Sequence, residues 1–531
     1  MQSAYRYELT DWTISRVLRH KATVIPENVF VITEEETLTY REAWIRSLQV
    51  ANMLGSQGVE MGDHVAVMLP NGVPFCEAWL GIACLGAVHV AINSDYTGRF
   101  LVHVLNNCRA RVMVIDASFI DRLVSVGAEL EHLETVFVVG ETSAVCSFKR
   151  RHFADWRMYP DNPPPTLSTY RDIGCVMYTS GTTGPSKGVL MPHAHLYLFG
   201  LGTIEHMGLD EDDVFYIVLP LFHANGLFMQ LFATLIAGAK AVIRERFSAS
   251  RWIDDIVRFG VTITNSLGVV AAFVLNQPPS RLDRTHRLRA MGLAPISKGL
   301  VDGLTDRFGI PCIYGMYGMT EANIPLYTTA GAPKPQSCGR VWSEFYALRI
   351  VDPESDEELP RGETGEIVVR PRQPYGFMAG YLNMPDKTVE AYRNFWFHTG
   401  DAAWMDDDGD VFFVDRIKDC IRRRGENISS FEVENALSAH PSIHETAVYA
   451  VPSEIEGAEE EVVAAVVPKS GSTIDLEELK VFALENLPAF AVPRYFRVMK
   501  ELPKTPTGKI QKHVLRNEGV APGVVDTLSN R

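Results

Sequence analysis

From the N-terminus to Asp401, short β-branched runs alternate with helix-like stretches, and this rhythm restricts the fold more than any other feature. His64–Met68, Val112–Ile115, Val136–Val139, Val214–Leu219 and Ala241–Ile243 are such runs. A run of that kind buries well in a sheet covered on both faces, and intervening helices supply the cover. The expectation is an α/β fold of layered, mainly parallel sheets and helices. Gly174–Tyr178, which follows the surface segment Pro163-Pro164-Pro165, is a further buried strand leading into a glycine-rich loop.

After Asp401 the texture changes. Asp406-Asp407-Asp408-Gly409-Asp410 reads as a hairpin turn, and the charged segment Asp415–Arg424 follows it. Beyond that, Ser429 and Glu432 form a capping box for a helix, Thr446–Val451 and Val462–Val467 are strand-like, and Leu476–Leu487 is helix-like. The junction falls in the charged segment, dividing the chain into a large domain, residues 1–417, and a smaller α+β domain, residues 418–531.

Composition then excludes several classes. With 531 residues, 46% hydrophobic and 22% charged, the chain exceeds a small binding module and has ample apolar surface for packed cores. Fifty basic against 65 acidic residues, 50 − 65 = −15, disfavours nucleic acid and anionic lipid as general partners. Eight cysteines are scattered without a Cys-x-x-Cys pair, which reads as reduced, small apolar residues. Met1–Arg16 lacks the apolar core of a secretion signal, and the longest apolar stretch, Ala78–Ile92, contains His89 and falls short of the ~20 residues of a membrane span. A cytoplasmic protein without a transmembrane segment is expected.

The most informative stretch is Tyr178-Thr179-Ser180-Gly181-Thr182-Thr183-Gly184-Pro185-Ser186-Lys187-Gly188. Its glycines allow tight turns, its hydroxyls and exposed N–H groups suit a polyanion, and Lys187 adds a positive charge. Phosphate is the natural ligand, although the G-x-x-x-x-G-K-[ST] order of a Walker loop is absent. Read alone, the stretch is a flexible polar loop; its weight comes from four later segments. These are Tyr317-Gly318-Met319-Thr320-Glu321, His398-Thr399-Gly400-Asp401, Asp415–Asn427 and Pro503–Ile510.

On these five motifs in this order, the sequence resembles the adenylate-forming superfamily, which includes acyl-CoA synthetases, 4-coumarate–CoA ligases, luciferase and the adenylation domains of peptide synthetases. The likeness spans nearly the whole chain. It implies that Thr179, Ser180, Gly181, Thr182, Thr183, Gly184 and Lys187 cradle the phosphates of ATP. Gly292, Ala294, Pro295, Met316, Tyr317, Gly318 and Met319 then line the nucleotide site, Thr320 meets the α-phosphate and Glu321 holds Mg²⁺, a hard cation that accepts carboxylate oxygens beside phosphates and waters. Asp401 would accept from the ribose hydroxyls, with Arg416 as a second ribose or phosphate contact.

The resemblance further maps Lys509 onto the family's adenylation lysine, whose compact charge offsets repulsion between carboxylate and α-phosphate. Lys418 falls at the family's hinge, about which the small domain turns; that turn withdraws Lys509 and brings in Gly425, leaving room for a pantetheine arm. Arg422, Arg423 and Arg424 are either coenzyme A phosphate contacts or a solvated basic run.

Leu219-Pro220-Leu221-Phe222-His223-Ala224-Asn225-Gly226 matches the family's acyl-pocket segment, with Leu267, Ala294 and Met316 as further walls. His223 stands where α-amino-acid-activating relatives have an acid, so the pattern is similar to ligases for fatty or aromatic acids. Three positions depart from the family: Ser186 replaces a common Pro, Leu293 interrupts Gly-Gly-Ala-Pro, and Leu267-Gly268 replaces a Pro-containing turn. The resemblance implies an AMP-forming acid–thiol ligase with ATP, Mg²⁺ and coenzyme A, acting on a small carboxylic acid, with a homodimer left open. The alternatives are a crotonobetaine/carnitine–CoA ligase-like enzyme, suggested by the region around His286-Arg287-Leu288-Arg289, an enzyme loading a carrier protein, a luciferase-like oxygenase, and an inactive nucleotide-binding homologue.

Overall fold

The computed structural model describes residues 6–526 apart from 146, 166–167, 180–185, 329–333, 335, 418–420, 424–425, 429, 454–459, 488–490, 506–507 and 521–522. Among these residues, two large sheets dominate the N-terminal part. In spatial order, the first comprises Arg340–Val341, Asn323–Tyr327, Cys312–Met319, Ala290–Ala294, Ile263–Leu267, Val214–Ile217, Lys240–Ile243, Val29–Ile32 and Thr37–Thr39. Its inner strands, from Cys312–Met319 to Val29–Ile32, are parallel, and the outer ones turn back antiparallel. The second runs Gly380–Tyr381, Lys187–Pro192, Ile173–Thr179, Val88–Ala91, His64–Met68, Val112–Asp116, Thr135–Val139 and Lys149–His152, parallel except at its first two pairings.

Both sheets contribute to one core, into which the helices Val73–Leu85 and His193–Met207 are set. His193–Met207 is buried around nearly its whole circumference, so no amphipathic stripe marks it in the sequence. Close approach requires glycine there: a Cβ on Gly200 would meet Ile236, and one on Gly202 would collide with the Tyr327 hydroxyl. Surface helices follow local rules; Tyr40–Gly55 starts at a capping box in which Thr39 and Glu42 each satisfy the other's backbone N–H. Ala78–Ile92, read as one apolar stretch, divides into the end of a helix and the strand Val88–Ala91, separated by left-handed Gly86. No helix among the described residues is long and apolar enough to cross a membrane.

A third sheet departs from the parallel expectation. Tyr346–Val351, Gly365–Pro371, Phe397–Met405 and Val411–Arg416 are antiparallel throughout, joined at one end by the Asp406–Asp410 turn. The C-terminal part has its own four-stranded sheet, Ile443–Pro452, Glu460–Pro468, Tyr495–Val498 and Val524–Asp526. Its first two strands bury alternate residues on opposite faces: Val448, Ala450, Val462 and Ala464 pack with Leu479 and Ala483, whereas Tyr449, Val451, Val463 and Ala465 pack with Leu515.

The helix Ser430–Ser438 is capped across the junction. Asp415 Oδ2, at the end of the third sheet, accepts from Ser430 Oγ at 2.5 Å and Phe431 N at 3.2 Å. Ser429, expected to cap that helix with Glu432, lies outside the described residues, as does the Glu432 side chain. Lys512 Nζ donates to Ser430 Oγ and pairs with Glu434 at 2.8 Å, extending the chain of contacts into the last helix.

Candidate active site

Strands Ile173–Thr179 and Cys312–Met319 both deliver their C-terminal ends to the same region, where parallel sheets place ligand crevices. At the second, a tight hairpin carries Thr320 and Glu321 and returns along Asn323–Tyr327. Gly318 is obligatory in that hairpin, because a Cβ would collide with the Asn323 carbonyl. Asn323 takes a left-handed φ of 64°.

Glu321 is buried, and its Oε1 accepts from Thr179 Oγ1 at 3.3 Å and from Tyr381 Oη at 3.1 Å. Lys187 Nζ lies 4.2 Å from the Tyr381 ring centroid, a cation–π contact. The two ends of the glycine-rich stretch and the Thr320-Glu321 turn therefore form one cluster of hydroxyl, ammonium and carboxylate. Ser180, Gly181, Thr182, Thr183 and Gly184, which lie between those ends, are outside the described residues.

Beneath the turn, His195 holds the backbone. Its Nε2 is 2.8 Å from the Thr320 carbonyl, and Asn323 Nδ2 is 3.4 Å from its Nδ1. Nδ1 also lies 3.0 Å from the Gly376 carbonyl, and because a neutral imidazole has one N–H it donates to only one of the two carbonyls. Burial pushes the His195 pKa down to about 4, against hydrogen bonds to the Gly376 and Thr320 carbonyls that raise it.

A second cluster lies on the third sheet. Asp401 and Arg416 are directly opposite on paired strands, with Arg416 Nε 2.9 Å from Asp401 Oδ1. That contact lacks the alignment of a hydrogen bond, so buried Oδ1 retains acceptor capacity among the described residues. Oδ2 accepts from Tyr317 Oη at 2.6 Å. Burial raises the Asp401 pKa, while Arg416, the Tyr317 hydroxyl and the charge of Lys509 act to lower it. Lys509 reaches this field from the loop Lys504–Ile510, closed by Thr505 N donating to the Lys509 carbonyl at 2.7 Å. Its own N–H donates to Thr505 Oγ1, and the residue is exposed.

His223 begins the third wall. It is open to solvent on one edge yet densely surrounded by protein, as expected of a side chain lining a cleft, and that surrounding pushes its pKa down to about 4 against the opposing charge of Asp95. The π-helical segment Asn225–Phe232 follows. Facing it on the first sheet are Asn265, Gly292 and Met316, with the cis-linked Ala294-Pro295 at the strand end. A Cβ on Gly292 would collide with Asn265 Oδ1 and Met316 Cε.

Residues 18–382 match the family described as AMP-binding enzyme, and residues 432–509 match the AMP-binding enzyme C-terminal domain. The chain is an AMP-binding enzyme. The crotonobetaine/carnitine–CoA ligase of Citrobacter koseri is 32% identical over 479 residues, covering 88% of this chain and 91% of that one. Two solved structures are similar over nearly the full length. The anthranilate CoA ligase AuaEII in complex with anthranoyl-AMP has a TM-score of 0.87 at 26% identity, covering 96% of this chain and 98% of that one. ATP-bound MatB from Rhodopseudomonas palustris has a TM-score of 0.83 at 26% identity, covering 95% and 98%. The enzyme thus has the adenylate-forming fold, and its relatives are acyl-CoA ligases.

In this AMP-binding enzyme, motif residues distant in sequence meet in two clusters, Thr179 with Glu321 and Tyr317 with Asp401 and Arg416. Lys418, Gly425 and Arg424 lie outside the described residues, as does the Arg422 side chain. Arg423 corrects both expectations held for it. It is buried, with Nε 2.7 Å from Glu461 Oε2 and Nη1 donating to the Val492 carbonyl, so it is neither solvated nor presented to coenzyme A. Leu267 is 42% exposed, at the C-terminal end of the strand Ile263–Leu267. Tyr381, His195, Gln230 and Asn265 were not singled out by sequence, because lone aromatic and amide residues in apolar runs read as core.

Proposed function

We propose that the enzyme joins a small carboxylic acid to coenzyme A with ATP, releasing AMP and pyrophosphate. The observation that supports this most directly is the gathering of four sequence motifs into two clusters, Thr179 with Glu321 and Tyr317 with Asp401 and Arg416. In the first step a carboxylate oxygen attacks the α-phosphorus and pyrophosphate leaves. Lys509 and Lys187 neutralise the approaching anions, Thr320 donates to the α-phosphate, and Asp401 Oδ1 with Arg416 orients the ribose. Among the described residues no three His, Cys, Asp or Glu side chains gather as a metal site, and lone Glu321 fits the mode in which Mg²⁺ takes one carboxylate with substrate phosphates and waters. Mg²⁺ would neutralise phosphate charge there.

In the second step the thiolate sulfur of coenzyme A attacks the acyl carbonyl carbon, and AMP departs with the carbonyl–oxygen bond broken. The substrate supplies the nucleophile, so no protein thiol is needed. We place the domain boundary between Ile417 and Lys418 and assign Lys418 the hinge that exchanges Lys509 for Gly425 between the steps. A cytoplasmic setting fits the six described cysteines, all with free thiols. A betaine acid such as crotonobetaine is the second reading, favoured by the 32% identity to the Citrobacter enzyme.

The test is Lys509→Ala. Acid-dependent pyrophosphate release falls at least ~10²-fold, the scale of one lost transition-state contact, while thioester formation from supplied acyl-adenylate largely survives. Equal loss in both half-reactions refutes the assignment. Carrier-protein loading in place of free coenzyme A, measured in the same assay, replaces the acceptor.

A further inference from the structure

The wall facing the expected acyl pocket carries amides where an apolar lining would suffice for packing. Asn265 lies on a sheet face shared with Ile263, Gly292 and Met316, and it is 1% exposed. Across from it, the segment Asn225–Phe232 supplies half-buried Asn225 and fully buried Gln230. π-Helical turns of this kind recur at functional sites.

The three amides are wired to one acceptor. Gln230 Nε2 donates to Asn225 Oδ1 at 2.9 Å, and Asn265 Nδ2 donates to the same oxygen at 3.2 Å. With each amide nitrogen held at Asn225 Oδ1, the carbonyl oxygen of the same amide is turned away from Asn225. Gln230 Oε1 and Asn265 Oδ1 are buried and accept no hydrogen bond among the described residues. Asn265 Oδ1 sits over Gly292, in space that any side chain there would fill. Buried acceptors left in this state are costly unless a bound molecule satisfies them.

We propose that the acid activated by this enzyme carries a hydrogen-bond-donating substituent, a hydroxyl or an N–H, seated against the carbonyl oxygens of Asn265 and Gln230. This rests on the acyl-CoA ligase reading above and narrows it. A saturated fatty chain covers both oxygens without pairing them, and a second carboxylate meets acceptors with acceptors; both are disfavoured substrates.

The experiment compares matched acids by acid-dependent pyrophosphate release: hydroxy- and aminobenzoates and hydroxyalkanoates, each beside its methyl and methoxy counterpart. The expected result is at least one hydroxy or amino acid exceeding both counterparts by ~10-fold or more in kcat/KM. Asn265→Leu and, independently, Gln230→Met reduce that preference at least ~10-fold while ATP still raises the Tm of each variant, which reports an intact fold. Methyl or methoxy acids used as well as their donor-bearing counterparts overturn the inference and leave the ligase reading standing. Release with no acid in the panel overturns the ligase reading and the inference together. A preference unchanged in both variants also overturns the inference.

Discussion

At Glu321 one carboxylate oxygen already serves two hydroxyl donors, Thr179 and Tyr381, and among the described residues its partner oxygen is the acceptor offered to a cation. Glu321→Gln keeps the size and the capacity to accept but removes the charge. Pyrophosphate release by that variant is expected to need at least ~10-fold more Mg²⁺ for half-maximal rate, because hard divalent cations depend on anionic oxygen. An unchanged Mg²⁺ requirement refutes the metal role. The carboxylate itself was legible in the sequence through its motif, but the tyrosine fixing it was not. Tyr381 arrives through an edge-strand register with Val189, a pairing between residues almost two hundred positions apart. His195 is hidden for a similar reason, since a histidine on an apolar helix shows no sign of the distant carbonyl it supports.

Among elements, the junction between the two parts is held by a cap rather than by apolar packing alone. Removing the cap with Asp415→Ala is expected to cost about 1–2 kcal/mol in the helix Ser430–Ser438, read as faster amide hydrogen exchange in that helix. Asp415→Asn, an equally good capping residue, restores most of the protection; failure of Asn to rescue points to pairing with Lys512 instead. Strands and helices with strong local signals were legible: the runs read at His64–Met68, Val462–Val467 and Leu476–Leu487 coincide with elements to within two residues. The antiparallel third sheet was legible only in its last hairpin, where the Asp406–Asp410 turn marks the reversal; local sequence does not show that Tyr346–Val351 and Gly365–Pro371 pair beside it. Nor was Arg423 legible, since a basic run shows no trace of the distant glutamate that draws one member inward.

For the whole molecule, three fully buried histidines give stability a marked pH dependence. Burial pushes His89 down to about 3 and His193 and His195 down to about 4. Because these folded pKa values lie below the unfolded ~6.5, the unfolded chain binds more protons in between, and stability falls as pH drops from 6.5 toward 4. Relative to neutral pH, where the ring is uncharged in both states, each histidine destabilises the folded chain by roughly 3 kcal/mol once pH has fallen to its folded pKa. Thermal unfolding followed from pH 7 to pH 4 is expected to show a steep decline in Tm. His89→Leu makes the decline shallower, as neither ring nitrogen of His89 has a hydrogen-bond partner among the described residues. A decline equally steep without His89 refutes its share.

The helix His193–Met207 has an implication for ancestry and engineering. Its side chains fill a core to which both large sheets contribute, and its glycines fit Ile236 and Tyr327 at close range. Neither half of the N-terminal region is thus a free cassette. Recombination breakpoints that import one sheet without that helix and its opposite lining will give misfolded progeny, whereas exchange of the C-terminal part leaves that core whole and disturbs the contacts around Asp415 and the charge that Lys509 brings to Asp401. Shuffled libraries scored for soluble expression would map that boundary directly.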